Sequence, residues 1–228
     1  MAASQSAQQE ARATAKPAEE RRAIVVRFCG DSGDGMQLAG SQLTFTSALA
    51  GNDVATFPDY PAEIRAPRGS LAGVSGFQVQ FAADEVATPG DEVDALVAMN
   101  PAALKANLHW LKPGAALITD EDAFDARGLR QAGYQTNPLE DGTLAAWNVL
   151  RAPVASMTKA AVAETGLGRK DAEQCRNFFA LGLVYWLYGR NPEATLAFIG
   201  DKFDGPVAEA ARLALNAGWN YGETTEAL

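Results

Sequence analysis

Residues 23–35 read AIVVRFCGDSGDG and decide the fold class of this chain. The first seven of them are largely apolar or β-branched, and the run stops at Gly30, which is typical of a buried strand. Apolar side chains then recur at helical spacing from Leu38 to Leu49, and Gly51 provides a stop signal. A buried strand, a glycine turn and a helix in this order predict the first unit of an α/β sheet.

The rest of the chain continues this alternation. Strands or extended segments are predicted at 53–57, 69–81, 94–99, 115–119 and 144–150, the last as a hairpin or an edge strand. Helices are predicted at 101–111, 171–188, 192–203 and 206–218. Proline cannot take part in a regular ladder, so the second strand should end before Pro58, and a turn is expected at 112–114. The pattern predicts an α/β fold with crossover helices and a helical C-terminal segment.

Composition and charge exclude several classes of protein. The chain has 228 residues, 47% of them hydrophobic, which is enough for one large or two small globular domains. No apolar run approaches the roughly eighteen residues of a membrane span, so no membrane segment is expected. The net charge of −9 offers no basic patch to a phosphate backbone, and nucleic acid binding is not expected.

The number of cysteines and the composition of residues 1–22 indicate where the protein is located and which metals it can hold. Cys29 and Cys175 are the only cysteines, too few for a disulfide framework or for the four thiolates of an iron–sulfur cluster. A reducing, cytoplasmic location is therefore predicted. Residues 1–22 lack the apolar segment of a secretory signal and are interpreted as a disordered leader. The acidic run 120–122 and the single histidine, His109, are interpreted as a solvated face and a structural residue rather than a metal site.

The glycine turn is the strongest local candidate for a ligand site. Gly30, Gly33 and Gly35 follow the first strand, where α/β folds bind ligands. Their order is the reverse of the dinucleotide fingerprint, and the lysine and hydroxyl residue of a P-loop are missing. Two readings stay open. The glycines allow a tight turn and close packing with Asp34 as a helix cap, or their amides approach a ligand.

Two further segments supply candidate polar contacts. The proline-rich loop 58–69 carries Arg65 and Arg68, which could hold a phosphate or carboxylate, or could pair with Asp59 and Glu63 on the surface. Asn100 follows the predicted strand 94–99 and is a candidate by position alone.

Four segments together resemble a known family. They are 30–37 (GDSGDGMQ), 57–67 (FPDYPAEIRAP), 97–104 (VAMNPAAL) and 177–182 (NFFALG). In this order they are similar to the gamma-type domain of 2-oxoacid:ferredoxin oxidoreductases, above all the N-terminal part of the alpha subunit of the 2-oxoglutarate-using members. The resemblance extends from about Ile24 to Thr225 and implies a Rossmann-like three-layer sandwich with a mostly parallel sheet.

The resemblance also implies a division of the chain. Residues 23–220 would form the gamma-type domain, and 221–228 would begin a linker to a thiamine-binding domain that this sequence does not contain. The whole enzyme would use thiamine diphosphate, magnesium, an iron–sulfur cluster and coenzyme A. Its thiamine-binding and cluster-bearing subunits, and ferredoxin through the complex, would be the partners.

For this chain the resemblance implies a component of a coenzyme A-dependent oxidoreductase that converts 2-oxoglutarate to succinyl-CoA and is inactive alone. It implies no catalytic residue and no metal ligand here. The residues expected to contact coenzyme A are Gly30, Gly33, Gly35, Arg65, Arg68 and Asn100. A stand-alone Rossmann-like module that binds a nucleotide-containing ligand, and a purely structural subunit, remain as alternatives.

Overall fold

The computed structural model describes residues 21–63 and 66–225, which form a six-stranded sheet with helices on both faces. The strands are β1 Ala23–Asp31, β2 Asp53–Asp59, β3 Val74–Ala82, β4 Val93–Ala98, β5 Leu111–Asp120 and β6 Asn148–Ala152. Their order across the sheet is β2-β3-β1-β4-β5-β6.

One strand runs against the others. β1, β4, β5 and β6 pair in parallel, whereas β3 lies antiparallel between β1 and β2. Since β1 and β2 are both antiparallel to β3, they point in the same direction. The prediction of a mostly parallel α/β sheet is therefore confirmed.

The helices form the two outer layers. They are α1 Met36–Leu49, α2 Pro101–Asn107, α3 Ala126–Gln131, α4 Val154–Ala161, α5 Arg169–Gln174, α6 Arg176–Leu187, α7 Glu193–Lys202 and α8 Gly205–Thr225. Short 3-10 turns lie at Leu71–Gly73, Leu108–Trp110, Glu121–Ala123 and Ala163–Thr165. The core of one face draws on α1, α4, α6, α7 and α8, and that of the other on α2. The three-layer arrangement is thus also confirmed.

The two cores follow from the alternation of side chains along β1. Val26 and Phe28 point into the core beneath α1 and α6, whereas Val25 and Cys29 point toward α2. Successive strand residues face opposite sides of a sheet, and both sides here are covered. This explains why β1 reads as a nearly continuous apolar run rather than an alternating one.

Helices α6 and α8 pack so closely that a glycine on each helix faces backbone atoms of the other. A Cβ atom at Gly182 would collide with the carbonyl oxygen of Leu215, and one at Gly218 with that of Phe179. The helical spacing of Phe178, Phe179 and Trp186 predicts one buried stripe along the segment 171–188. Phe179 is fully buried and Phe178 nearly so, whereas Trp186 is only partly covered and packs over Gly222.

Three predicted boundaries are wrong for identifiable reasons. β2 includes Pro58, because an edge strand tolerates a residue without an N–H. The predicted turn at 112–114 lies inside β5, where the register against β4 shifts between Val93 and Ala95 and forms a bulge. The predicted helix 171–188 is broken at Cys175 into α5 and α6.

The chain ends were predicted less closely. Helix α8 continues beyond the expected end at residue 218 to Thr225. Of the predicted leader 1–22, residues 1–20 lie outside the described residues, as do 226–228 of the predicted linker, so both remain predictions. Among the helices of the described ranges, none is long and apolar enough to cross a membrane.

Candidate functional site

Five strands end at the same edge of the sheet, which we call the carboxyl edge. β1, β2, β4, β5 and β6 share one direction, so the glycine turn after β1 and the loop after β2 emerge there together. A cleft of about 330 Å³ opens at this edge. Its lining includes Asp31, Asp34, Arg68, Asn100, Arg127 and Arg176. Open α/β sheets bind ligands at such an edge.

The three glycines of the turn differ in their surroundings. A Cβ at Gly30 would stand 3.0 Å from Asp34 Oδ2, and one at Gly35 would collide with the Asn177 amide. These two glycines permit close packing. Gly33 has φ +98° and no atom within 4 Å of the position of a Cβ, so its backbone faces open space. Of the three predicted contacts, Gly33 is the one left most accessible.

One of the two readings of the turn made Asp34 the cap of the following helix, and this part of that reading is wrong. The N-cap of α1 is Gly35, and no side chain caps it. Asp34 Oδ2 instead accepts a hydrogen bond from the backbone N–H of Asp31 at 2.9 Å. The carboxylate therefore folds back onto its own turn and holds it closed.

Arg68 lies where the ligand hypothesis needs a cation. Its guanidinium donates to Asp34 Oδ1 at 2.9 Å and lies 3.7 Å from Asp31 Oδ2. The alternative pairing with Asp59 does not occur, because Asp59 pairs with the buried Arg27. The Arg68 side chain remains 66% exposed, so several of its N–H groups are free to meet a ligand. Arg65, its predicted companion, lies outside the described residues.

Asn100 connects the turn to the helix after β4. Its Oδ1 accepts from the backbone N–H of Ala103 at 2.8 Å and caps α2, while its Nδ2 donates to Asp31 Oδ1 at 3.1 Å. Asp31 also accepts from the backbone N–H of Gly69. Burial raises the pKa of Asp31, against the lowering effect of these partners. Both polar groups of the Asn100 side chain therefore hold the turn and the start of α2 in place, although the residue also lines the cleft.

Arg176, at the start of α6, is the residue that the sequence reading missed. Its guanidinium lies 3.2 Å from Asp34 Oδ1 and 3.5 Å from Asp120 Oδ2, so it joins the turn after β1 to the end of β5. Position after a buried strand marked Asn100 as a candidate, and the same signal would have marked Asp120. No local pattern marks Arg176.

Asp120 is the one residue that departs from the predicted solvated run 120–122. It is 1% exposed, and burial raises its pKa to about 6 although Arg176 opposes the shift. One of its oxygens accepts from Ala155 N–H at 3.3 Å, and the other has no hydrogen bond. Asp122 accepts from Ser156 N–H at 2.7 Å. Both carboxylates hold the start of α4, but only Asp120 is buried, whereas Glu121 and Asp122 are exposed as predicted.

In the part of the chain that the structure describes, the lining of the cleft contains three arginines, Arg68, Arg127 and Arg176, and five carboxylates, Asp31, Asp34, Asp122, Asp125 and Glu173. An anionic group would therefore depend on an exposed guanidinium, and Arg68 provides one. An iron–sulfur cluster or a divalent metal does not fit, because the described residues contain no group of three or more possible ligands. Cys29 and Cys175 are free and buried, and burial raises their pKa values to about 12 and about 11. Both are therefore thiols rather than ligating thiolates.

Comparisons with known proteins agree on one family. The model of the family described as pyruvate ferredoxin/flavodoxin oxidoreductase matches residues 25–221. The chain is 54% identical over 206 residues to the 2-oxoglutarate oxidoreductase subunit KorA of Mycobacterium tuberculosis. This match covers 90% of the chain and 32% of KorA, so the chain spans about a third of its curated relative.

Two solved structures share the fold. The 2-oxoglutarate:ferredoxin oxidoreductase of Magnetococcus marinus, solved with 2-oxoglutarate, coenzyme A and succinyl-CoA bound, matches with a TM-score of 0.72 at 22% identity. The match covers 92% of this chain and 32% of that one. A keto/oxoacid ferredoxin oxidoreductase gamma subunit from Geobacter sulfurreducens matches with a TM-score of 0.63 at 20% identity, over 89% of this chain and 97% of that one.

Proposed function

Because this chain belongs to the pyruvate ferredoxin/flavodoxin oxidoreductase family, we propose that it is the gamma-type component of a coenzyme A-dependent 2-oxoacid:ferredoxin oxidoreductase. The proposed substrate is 2-oxoglutarate, and the products are succinyl-CoA, carbon dioxide and reduced ferredoxin. The 54% identity to a 2-oxoglutarate oxidoreductase subunit carries this choice of substrate. A cytoplasmic location belongs to the same proposal.

The other cofactors would lie on partner subunits or domains. Thiamine diphosphate with magnesium, and an iron–sulfur cluster, would supply the decarboxylation and the electron transfer to ferredoxin. The described residues offer no ligand set for a metal or a cluster, so no chemical step is assigned to them. In this proposal the chain binds and orients coenzyme A and does not act alone.

The carboxyl-edge cleft is the part of this chain that we assign to coenzyme A. The cofactor carries phosphate groups, and a guanidinium fork matches phosphate oxygens. Arg68 lines the cleft and keeps free N–H groups. Gly33 does not line the cleft, and its exposed backbone on the neighbouring turn remains a proposed contact. Arg65 and Asn100 remain proposed contacts on the same loop and edge.

Steady-state kinetics of the assembled enzyme test this assignment. Arg68→Ala should raise the KM for coenzyme A by about ten- to a hundredfold, as expected for one lost charge-assisted contact of roughly 1.5 to 3 kcal/mol, and leave the KM for 2-oxoglutarate nearly unchanged. Arg65→Ala is examined in the same way. Arg212→Ala is the matched control, since it removes a partly exposed arginine of α8 that does not line the cleft. Unchanged constants in both Arg65→Ala and Arg68→Ala, or an equal effect of Arg212→Ala, would count against specific recognition.

Purification from native cells tests the assembly itself. The chain should co-purify with subunits that contain thiamine diphosphate and the brown colour of iron–sulfur protein. The chain expressed alone should show no 2-oxoglutarate-dependent reduction of an artificial electron acceptor. A colourless protein that purifies alone from its native cells would favour a stand-alone binding module instead.

A further inference from the structure

Arg27 is a buried arginine in the middle of β1, and the coenzyme A assignment makes no use of it. Its side chain is only 4% exposed, and arginine is almost never buried to this degree unless it is paired. Its Nε donates to Asn107 Oδ1 at 2.7 Å, and its Nη1 donates to Gln78 Oε1 at 3.4 Å. The remaining nitrogen, Nη2, forms an ion pair with the carboxylate of Asp59. The guanidinium therefore reaches from β1 to the end of β2.

The side chain of Arg27 crosses β3, which lies between β1 and β2. On β3, Gly76 pairs with Asp59 of one neighbouring strand and with Cys29 of the other. A Cβ at Gly76 would stand 3.1 Å from Arg27 Nη2, which is closer than an ordinary van der Waals contact. The glycine thus leaves the space through which the guanidinium passes over β3 to reach Asp59.

The loop 60–68, which carries Arg68, is held to β1 at both of its ends. Before the loop, Asp59 pairs with Arg27. After the loop, the backbone N–H of Gly69 donates to the carboxylate of Asp31 at 2.9 Å. Arg27 and Asp31 are four residues apart on β1, so their side chains stand on the same face of the sheet. One face of one strand therefore fixes where the loop begins and where it ends.

The two partners of the Arg27–Asp59 ion pair differ in exposure. Arg27 is buried, whereas the Asp59 side chain is 44% exposed. A buried or partly buried ion pair contributes little net stability, because the cost of desolvation offsets the attraction, but it can fix a geometry. A loop that is already fixed in its binding conformation loses less entropy when a ligand binds. The position of the ion pair, directly before the loop, fits this second effect.

From these observations we infer that Arg27 is a positioning residue for coenzyme A recognition. It acts through Asp59, whose carboxylate it holds, and thereby orients the loop 60–68 so that Arg68 meets an anionic group of the cofactor. Arg27 itself does not line the cleft and does not touch the ligand. The inference deepens the proposed function and rests on it, because it concerns the same site.

Steady-state kinetics of the assembled enzyme test the inference at the exposed partner of the ion pair. Asp59→Ala removes the acceptor of the Arg27 guanidinium and should raise the KM for coenzyme A about three- to tenfold, with kcat and the KM for 2-oxoglutarate nearly unchanged. Asp59→Asn keeps an acceptor oxygen and should restore most of the parent KM. Asp53→Ala removes an exposed carboxylate from the other end of β2 and is the matched control.

A double variant separates positioning from a general loss of structure. If Asp59 acts through Arg68, then Asp59→Ala should raise the KM for coenzyme A much less in the Arg68→Ala enzyme than in the parent. Fully additive effects of the two changes would overturn the inference. An unchanged KM for Asp59→Ala, where Arg68→Ala alone raises it, would also overturn it, as would an equal effect of Asp53→Ala.

Amide hydrogen exchange of the full chain tests the positioning of the loop without coenzyme A. The N–H of Glu63 donates to the carbonyl oxygen of Ala72 at 3.1 Å, and that of Gly69 donates to Asp31. In Asp59→Ala both amides should exchange at least about threefold faster, whereas the amides of α8 should keep their rates. Unchanged rates at Glu63 and Gly69 would refute the positioning role. An unchanged KM for coenzyme A in Arg68→Ala would instead refute the coenzyme A assignment, and the exchange rates would then decide whether Arg27 positions the loop.

Discussion

Helix α6 takes part in two neighbouring regions that are held together by different means. Along its length it packs against α8, with Phe179 buried and the glycines of both helices in backbone contact. At its first residue, Arg176 bridges Asp34 and Asp120 at the carboxyl edge. The first region is apolar and close-packed, whereas the second consists of buried and half-buried charges.

The difference shows that one region mainly stabilises the fold and the other mainly positions its loops. Burying an apolar side chain contributes stability directly. A buried ion pair loses much of its attraction to the cost of desolvating both groups, although removing one partner alone is destabilising. We therefore expect the α6–α8 interface to stabilise the protein and the carboxyl edge to position its loops. Four changes, all measured as free energies of unfolding in denaturant, examine this division.

The largest effect is expected at the centre of the interface. Phe179→Ala should lower the free energy of unfolding by about 3 to 5 kcal/mol, because it removes a fully buried ring and leaves a cavity. Leu49→Ala, at a side chain that is 63% exposed, should change it by less than about 0.5 kcal/mol. If both variants lowered the free energy of unfolding by similarly small amounts, the α6–α8 interface would not be a main source of stability.

The next effect is a pH dependence at the carboxyl edge. Burial raises the pKa of Asp120 from 3.8 to about 6, so its protonated form favours the folded state. This contribution is complete below about pH 4 and is lost as the pH rises to about 6. Asp120→Asn stays neutral and should gain up to roughly 3 kcal/mol relative to the parent between pH 4 and pH 7. Parallel pH profiles for parent and variant would show that the Arg176 pair offsets the cost of burial.

A methyl group at the interface should have a smaller effect. Gly182→Ala directs a Cβ at the carbonyl oxygen of Leu215, a backbone atom that cannot turn away, and should cost about 1 to 3 kcal/mol. Gly168→Ala is the matched control, since its Cβ would find no atom closer than 4.0 Å. Equal stability of the two variants would mean that α6 and α8 can separate without cost.

The smallest effect is expected at the edge of the cleft. Arg68→Ala removes an ion pair from a largely exposed side chain and should cost only about 0.2 to 1 kcal/mol. This is the same variant that should impair coenzyme A binding in the assembled enzyme. A loss of several kcal/mol would assign Arg68 to the stability of the fold and remove the contrast between the two regions.

Local patterns predicted the fold well but not the long-range contacts of the site. The run of β1, the glycine turn and α1 carry their own periodicity and stop signals, and all three were predicted. The direction of β3 has no local signature, because an alternating pattern is the same for parallel and antiparallel strands. The break at Cys175 was missed because the apolar spacing continues across it.

The residues of the site divide in the same way, into those that a local sequence pattern indicates and those that only tertiary packing brings together. Gly33 and Arg68 lie in segments whose composition already marked them as loops at a strand end. The ion pairs of Arg176 depend on where α6 begins relative to β1 and β5, which is a property of the tertiary packing. A charged residue at a helix start ordinarily indicates an exposed position, so only the assembled fold identifies Arg176.

The link between Asp34 and Arg176 also has a consequence for the order of folding. The two residues are 142 positions apart in the chain, and Gly35 meets Asn177 across the same separation. Contacts between distant residues require closure of a long loop and tend to form late. By contrast, β2 and β3 pair across a short loop and can form early. The cleft at the carboxyl edge, which Arg176 helps to line, therefore takes shape only after α6 has docked, so ligand binding there reports completed folding.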